Sequence, residues 1–353
     1  MLVTFRLTAP GRFPFWRLVR RSLPVLLTLT ATNAAADPTA YPLTLDNCGR
    51  EIRFDAAPEY TVTIGQSATE TLYALGLGNR VAGTSVWFTP VLPQFRAIND
   101  RVPRLADNDP SFEAVVNKHP DLVTVQYEWH VGPTGSVGTR QQFADLGIAT
   151  YILPADCDTK DNATGGDGTR VAAFSTQSIY KGIRQLATIF DVQDAGEDLI
   201  TDLKGRETRA IERAHGLDLP KDLSAVFWFS STDLAAAPFV AGRLGAPGYM
   251  MDKLGIRNVV ESDEEWPTVG WETIARADPD LIVIAQMDRR RYPADDIRKK
   301  LDFLHNDPVA SQMTAVREGH IVPMDAHAMS ATLRTIFGLD SLSDALAGMS
   351  FDR

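Results

Sequence analysis

Apolar positions along the chain switch between two periods. β-Branched runs bounded by turn residues predict strands at "YTVTIG" (60–65), "RVAGTSV" (80–86), "DLVTVQY" (121–127), "IATYILP" (148–154), "SAVFWFSS" (224–231), "DPDLIVIAQ" (278–286) and "HIVPMD" (320–325). Helical spacing falls between them, at "SATETLYALGLG" (67–78), "RQQFADLG" (140–147), "GAPGYMMDKLG" (245–255), "WETIARA" (271–277), "VASQMTAVREG" (309–319) and "SATLRTIFGLDSLSDALAG" (330–348). Ser67 or Thr69 is the expected cap of the first helix. Ahead of all of these, "YPLTLDNCGREIRF" (41–54) alternates about an Asn-Cys-Gly turn and predicts a β-hairpin. From residue 176 the texture is helix without strands, through "QSIYKGIRQLATIF" and "AGEDLITDLKGRETRAIERAHG", broken only at 191–194. Residues 156–170 read as a polar, Gly-rich loop.

One unit is written twice. "FEAVVNKHPDLVTV" (112–125) and "WETIARADPDLIVI" (271–284) share an aromatic, then Glu, then Pro-Asp-Leu, then a strand. "LGLGNRV" (75–81) and "LGIRNVV" (254–260) stand upstream of the two copies in the same order. The architecture this implies is α/β: two Rossmann-like βα lobes with central sheets, bridged by one long α-helix. The expected divisions are an N-terminal lobe at 37–175 with the leading hairpin, a helical spine at 176–215, and a C-terminal lobe at 216–353. A helix of about twenty residues is about 30 Å long, enough to cross from one lobe to the other.

Residues 1–36 read as a secretory signal rather than as part of the fold. They carry five arginines and no acid, then a short apolar run ending in small residues, with cleavage expected after Ala36. An uncleaved anchor is the alternative. Loss of that segment takes the formal charge from −10 to −15. So acidic a chain is a poor partner for nucleic acid or anionic membrane. Cys48 and Cys157 are the only cysteines. In an oxidising compartment they read most simply as a disulfide, with two buried thiols as the alternative.

The motifs of catalysis are missing. The chain has no Gly-x-Ser-x-Gly elbow, no phosphate loop and no His-Glu-x-x-His, and its six histidines lack metal-ligand spacing. What it has are aromatic and polar residues at the ends of predicted strands, where open α/β sheets bind ligands. Candidate cleft residues are Gln66, Ser67, Trp87, Phe88, Tyr127, Trp129, His130, Phe229 and His327, together with Trp266 ahead of the second Glu helix. Arg243, in a Gly-flanked loop, is the favoured cation for an anionic ligand; Arg289, Arg290 and Arg291, set among acids, read as a solvated face.

With these pieces in order, "GREIRF", "TIGQSATETLYALGLGNRVAGTS", "SFEAVVNKHPDLV", the spine, "LGIRNV" and "WPTVGWETIARADPDLIVI", the chain resembles the periplasmic substrate-binding proteins of ABC importers for iron–siderophores, haem and cobalamin. The resemblance implies a class III binding-protein fold and no enzymatic step. It implies a monomeric periplasmic receptor that holds a metal chelate and docks on an inner-membrane ABC permease. Glu113 and Glu272, one per lobe, match the residues that pair with permease arginines. A ferric siderophore is the expected ligand, with no cofactor and no directly bound metal. Haem or cobalamin is the alternative, and an enzyme on the same scaffold a more distant one.

Overall fold

The computed structural model describes residues 37–163 and 168–351; the expected signal lies outside them. The leading hairpin forms from β1 (Leu43–Asn47) and β2 (Arg50–Phe54), and Cys48 and Gly49 both take positive φ, as a two-residue hairpin turn requires. It is fastened to the lobe behind it in two ways. Cys48 is disulfide-bonded to Cys157, and the Asn47 amide exchanges two 2.8 Å hydrogen bonds with the backbone of Ile152.

The first lobe is a parallel sheet in the order β5-β4-β3-β6-β7, built from β3 (Thr61–Ile64), β4 (Val81–Ser85), β5 (Arg104–Ala106), β6 (Leu122–Val125) and β7 (Ala149–Ile152). β3 and β6 are buried at every position, so their sequences run on as β-branched residues instead of alternating. Helices α1 (Gln66–Ala74), α2 (Arg96–Asn99), α3 (Phe112–Val116) and α4 (Arg140–Asp145) return the chain between strands. The expected cap of α1 is not realised. Ser67 and Thr69 are buried, and the Ser67 N–H is instead capped by Gln126 Oε1 at 2.9 Å, from the end of β6. Gly65 makes this approach possible: its φ is +117°, and a Cβ there would lie 2.3 Å from that of Gln126. Residues 156–170 are not a simple loop either. Their ends pair as β8 (Lys160–Asp161) and β9 (Thr169–Arg170).

The spine is α5 (Gln177–Ile189) followed by α6 (Gln193–His215). Ile200 and Leu203 of α6 pack in the first lobe's core, whereas Ala210 and Ala214 pack in the second's. The second sheet runs β11-β10-β13-β14, with β12 paired to β10, from β10 (Ser224–Ser230), β11 (Phe239–Val240), β12 (Arg257–Asn258), β13 (Leu281–Gln286) and β14 (Ile321–Asp325). Pro323 is tolerated because β14 is an edge strand. Around the sheet lie α7 (Ala246–Leu254), α8 (Trp271–Ala277), α9 (Ile297–Asn306), α10 (Thr314–Arg317) and α11 (Arg334–Ala347). The sequence pattern does not announce α9.

The repeated unit has the same geometry in both lobes. His119 and Asp278, each directly before the Pro, take positive φ and turn the chain out of its helix. Asp121 then accepts from the N–H groups of Glu59 and Tyr60 at 2.7 and 3.2 Å, just ahead of β3. Asp280 accepts from Ser224 N and Oγ at 2.9 and 2.7 Å, at the start of β10. In each lobe the Asp of Pro-Asp-Leu therefore staples one central strand to its neighbour.

Candidate functional site

The carboxyl ends of both sheets meet between the lobes. One contact there is a buried charge cluster. Glu70, on α1, is fully buried and accepts from Arg334, at the start of α11, at Nε (2.8 Å) and again at Nη2. Arg334 also donates to Asp325, at the end of β14, to Thr89 Oγ1 at 3.0 Å and to Pro90 O at 2.7 Å. The carboxylates hold the Arg334 pKa above its ordinary value, against its burial. Gln66 braces the same region by accepting from the N–H groups of Phe88 and Thr89, each at 3.2 Å.

Phe88 itself is inserted into the second lobe. Its ring stacks on His327 at 5.8 Å, the Arg289 guanidinium lies 4.4 Å from its centroid, and its carbonyl accepts from the N–H groups of Asp288 and Arg289. Burial holds the Arg289 pKa below its ordinary value, opposed by nearby Asp109 and Asp107. The His327 ring is buried, and desolvation pushes its pKa down to about 3.

Beside this contact a narrow crevice opens between the lobes. Each lobe gives it one aromatic pair. Tyr127 lines the crevice and lies on Trp129, with centroids 4.0 Å apart and planes 8° from parallel. Opposite in origin, Trp266 lines it and leans on Phe229 at 4.6 Å. Such pairs are worth about 0.5–1.5 kcal/mol beyond their buried area, which keeps each ring set before anything binds. The remaining wall is polar, with Lys160 paired to Asp156 at 2.8 Å and Arg170 facing Glu265 at 3.2 Å. A smaller apolar hollow, lined by Ser67, Thr71, Pro154, Ile179 and Leu333, adjoins it through Ala155 and Ala331.

The candidates picked from sequence therefore separate. Tyr127, Trp129, Phe229 and Trp266 are brought together as the two stacks, and Ser67 lines the smaller hollow. Gln66, Phe88 and His327 serve the contact between the lobes. Trp87 is buried within the first lobe, donating to Thr84 at 3.2 Å beneath the Arg104 guanidinium. His130 is fully buried against Asp109 at 3.2 Å, which supports the 127–130 turn and does not present an imidazole to the crevice. Arg243 is exposed and engaged by Asp263 at 2.6 Å, away from the crevice lining; Arg289, from the run that reads as a solvated face, is instead half-buried against Phe88, and the cations that line the crevice are Lys160 and Arg170. Glu113 and Glu272 are both exposed in the first turns of α3 and α8, and neither forms an ion pair among the described residues. Glu70, Arg334, Arg170 and Glu265 escape sequence reading, because a lone charge in a helix or loop carries no sign of the partner it will meet. No group of three or more His, Cys, Asp or Glu residues able to hold a metal ion occurs among the described residues.

The model of the periplasmic binding protein family matches residues 62–328. The chain belongs to the periplasmic binding protein family. The match spans both lobes and the spine between them, so family membership rests on the whole two-lobed body. An uncharacterized ABC transporter substrate-binding lipoprotein of Bacillus subtilis, YvrC, is 23% identical over 244 residues, 69% of each chain. A solved Fe3+-hydroxamate transport protein of Saccharomonospora viridis superposes with a TM-score of 0.69 at 22% identity, covering 87% of this chain and 99% of its own. A periplasmic heme binding protein of Pseudomonas aeruginosa reaches 0.63 at 19% identity, covering 83% and 94%. These neighbours share the class III fold, in which a helical spine joins two α/β lobes.

Proposed function

We propose that this binding protein is the substrate-binding component of an ABC importer, that it takes up an iron chelate between its lobes, and that it presents Glu113 and Glu272 to the membrane permease. The observation that carries the reading is that Tyr127 and Trp266, each braced by a second ring of its own lobe, line a single crevice. Half-exposed rings held against water are costly unless they receive a ligand, and large preset rings bind at little entropic cost. The names of the neighbours, an iron-hydroxamate transport protein and a heme binding protein, agree with a chelate of this kind. A family of binding proteins also agrees with the absence of catalytic motifs from the sequence.

The test is a calorimetric titration of the purified protein with a ferric hydroxamate, a ferric catecholate, ferric citrate, haemin and cobalamin. One saturable site for one of these is expected, and silence toward all five overturns the reading. For docking, the double variant Glu113→Ala, Glu272→Ala is expected to abolish import while leaving that binding unchanged. Import at the original rate would assign both residues to helix stabilisation alone.

A further inference from the structure

Arg170 and Glu265 meet across the crevice from opposite lobes. Arg170 ends the β8–β9 hairpin, Glu265 lies in the loop after β12, and their side chains are 2% and 10% exposed. The two halves of the pair are held very differently. Arg170 donates to Ala155 O at 3.1 Å and lies 5.4 Å from the Phe174 ring centroid, both within its own side of the cleft. The Glu265 carboxylate has Arg170 as its one ion-pair partner among the described residues, and its neighbours Glu261, Asp263 and Glu264 already face solvent. The contact is close but misaligned: Arg170 Nε stands 3.2 Å from Glu265 Oε1, and its N–H makes no hydrogen bond. A second donor on the same wall is also unused. Gln126 is 3% exposed, its Oε1 caps α1, and its Nε2 has no partner.

We propose that Glu265 is a placeholder for an acidic group of the ligand, so that this site takes an anionic chelate bearing conjugated rings. The inference rests on the receptor reading above and narrows it to a substrate class. An anionic oxygen that displaces Glu265 leaves Arg170 facing a negative charge as before, and the freed carboxylate swings to the solvent its neighbours already face. A cationic ligand has no equivalent move, since displacing Arg170 breaks its bonds to Ala155 and Phe174. The unused N–H groups of Arg170 and Gln126 both call for an acceptor. The Tyr127 and Trp266 faces supply the surface for rings. Two sources share this chemistry: a ferric tris-catecholate, and haemin with its carboxylates.

The two halves of the pair give opposite signs under mutation. Binding is measured by calorimetry for a ferric tris-catecholate, haemin, ferric citrate (anionic, without rings) and ferrioxamine B (a cationic ferric hydroxamate). The tris-catecholate or haemin is expected to bind best, and which of the two does so identifies the source. Arg170→Gln should weaken that ligand by roughly tenfold, and Glu265→Gln should tighten it by a few-fold, because removing a competitor exposes the cation. Arg170→Lys, which keeps the charge and loses the fork, should fall between wild type and Arg170→Gln and stands in if the Gln variant does not fold. Weakening by Glu265→Gln comparable to that of Arg170→Gln would make the pair an interlobe strut and overturn the proposal. Preferential binding of ferrioxamine B or of ferric citrate would overturn it while leaving the receptor reading intact. Binding of none overturns the receptor reading, and the inference with it.

Discussion

At the scale of single residues, the sites that matter most combine burial with charge. His327 is the clearest titrating case. Its pKa lies near 3 in the fold against 6.5 for the free side chain. Between those values the unfolded chain binds the extra proton, so stability rises with pH across that window and is lost as pH falls through it. His327→Phe keeps an aromatic ring against Phe88 and should flatten this dependence, read as urea midpoints between about pH 3 and pH 6.5. An unchanged slope would show that other groups set the acid limit. Lys300 has the same character on α9. It is fully buried, donates to Phe229 O at 2.6 Å, and is held to a pKa of about 8 by desolvation, with Asp295 opposing. Through Phe229 it steadies the stack that Trp266 completes. Neither residue was legible in this way from sequence. The positions of Phe229 at the end of one strand and His327 just after another mark the cleft, but side-chain contacts decide which ring faces a ligand and which faces the other lobe.

Among elements, the strands with their bounding turns were largely readable, since continuous β-branched runs between Gly and Pro leave little alternative. The hairpin, the repeated Glu helices and the spine follow from the same signals. The shortest elements were not readable, among them β8, β9, β11 and β12, because two-residue strands are defined by their partners and not by their own composition. The repeat gains a structural cause from the two Asp staples. Asp280→Ala should cost about 1–3 kcal/mol in urea unfolding, because it leaves the buried Ser224 N–H without its acceptor, and Asp121→Ala should cost less, because Glu59 and Tyr60 are exposed to water. Losses of a few tenths only at Asp280 would reduce the Pro-Asp-Leu signature to a turn preference. The effects should add, as the staples belong to separate sheets.

For the molecule as a whole, the lobes are bolted together at several points, and the spine is only one of them. Glu70 and Arg334 close one side with buried charge, and Glu207 on α6 accepts from Tyr180 at 2.6 Å, from Thr176 at 3.2 Å and from Tyr249 of α7. Arg334→Met should destabilise the protein by about 3–5 kcal/mol, since it strands Glu70 uncompensated, and adding Glu70→Met should recover much of that loss. Additive losses in this cycle would mean that the two residues are not coupled as drawn. The arrangement of the tryptophans has an optical consequence. Trp87, Trp228 and Trp271 are buried, while Trp266 at the crevice and Trp129 stacked on the crevice-lining Tyr127 are partly exposed. Emission from the body therefore divides into a blue, acrylamide-resistant part from three indoles and a red, quenchable part from two. Occupancy of the crevice should extinguish the red part first, and the buried indoles then serve as an internal intensity standard in the same cuvette.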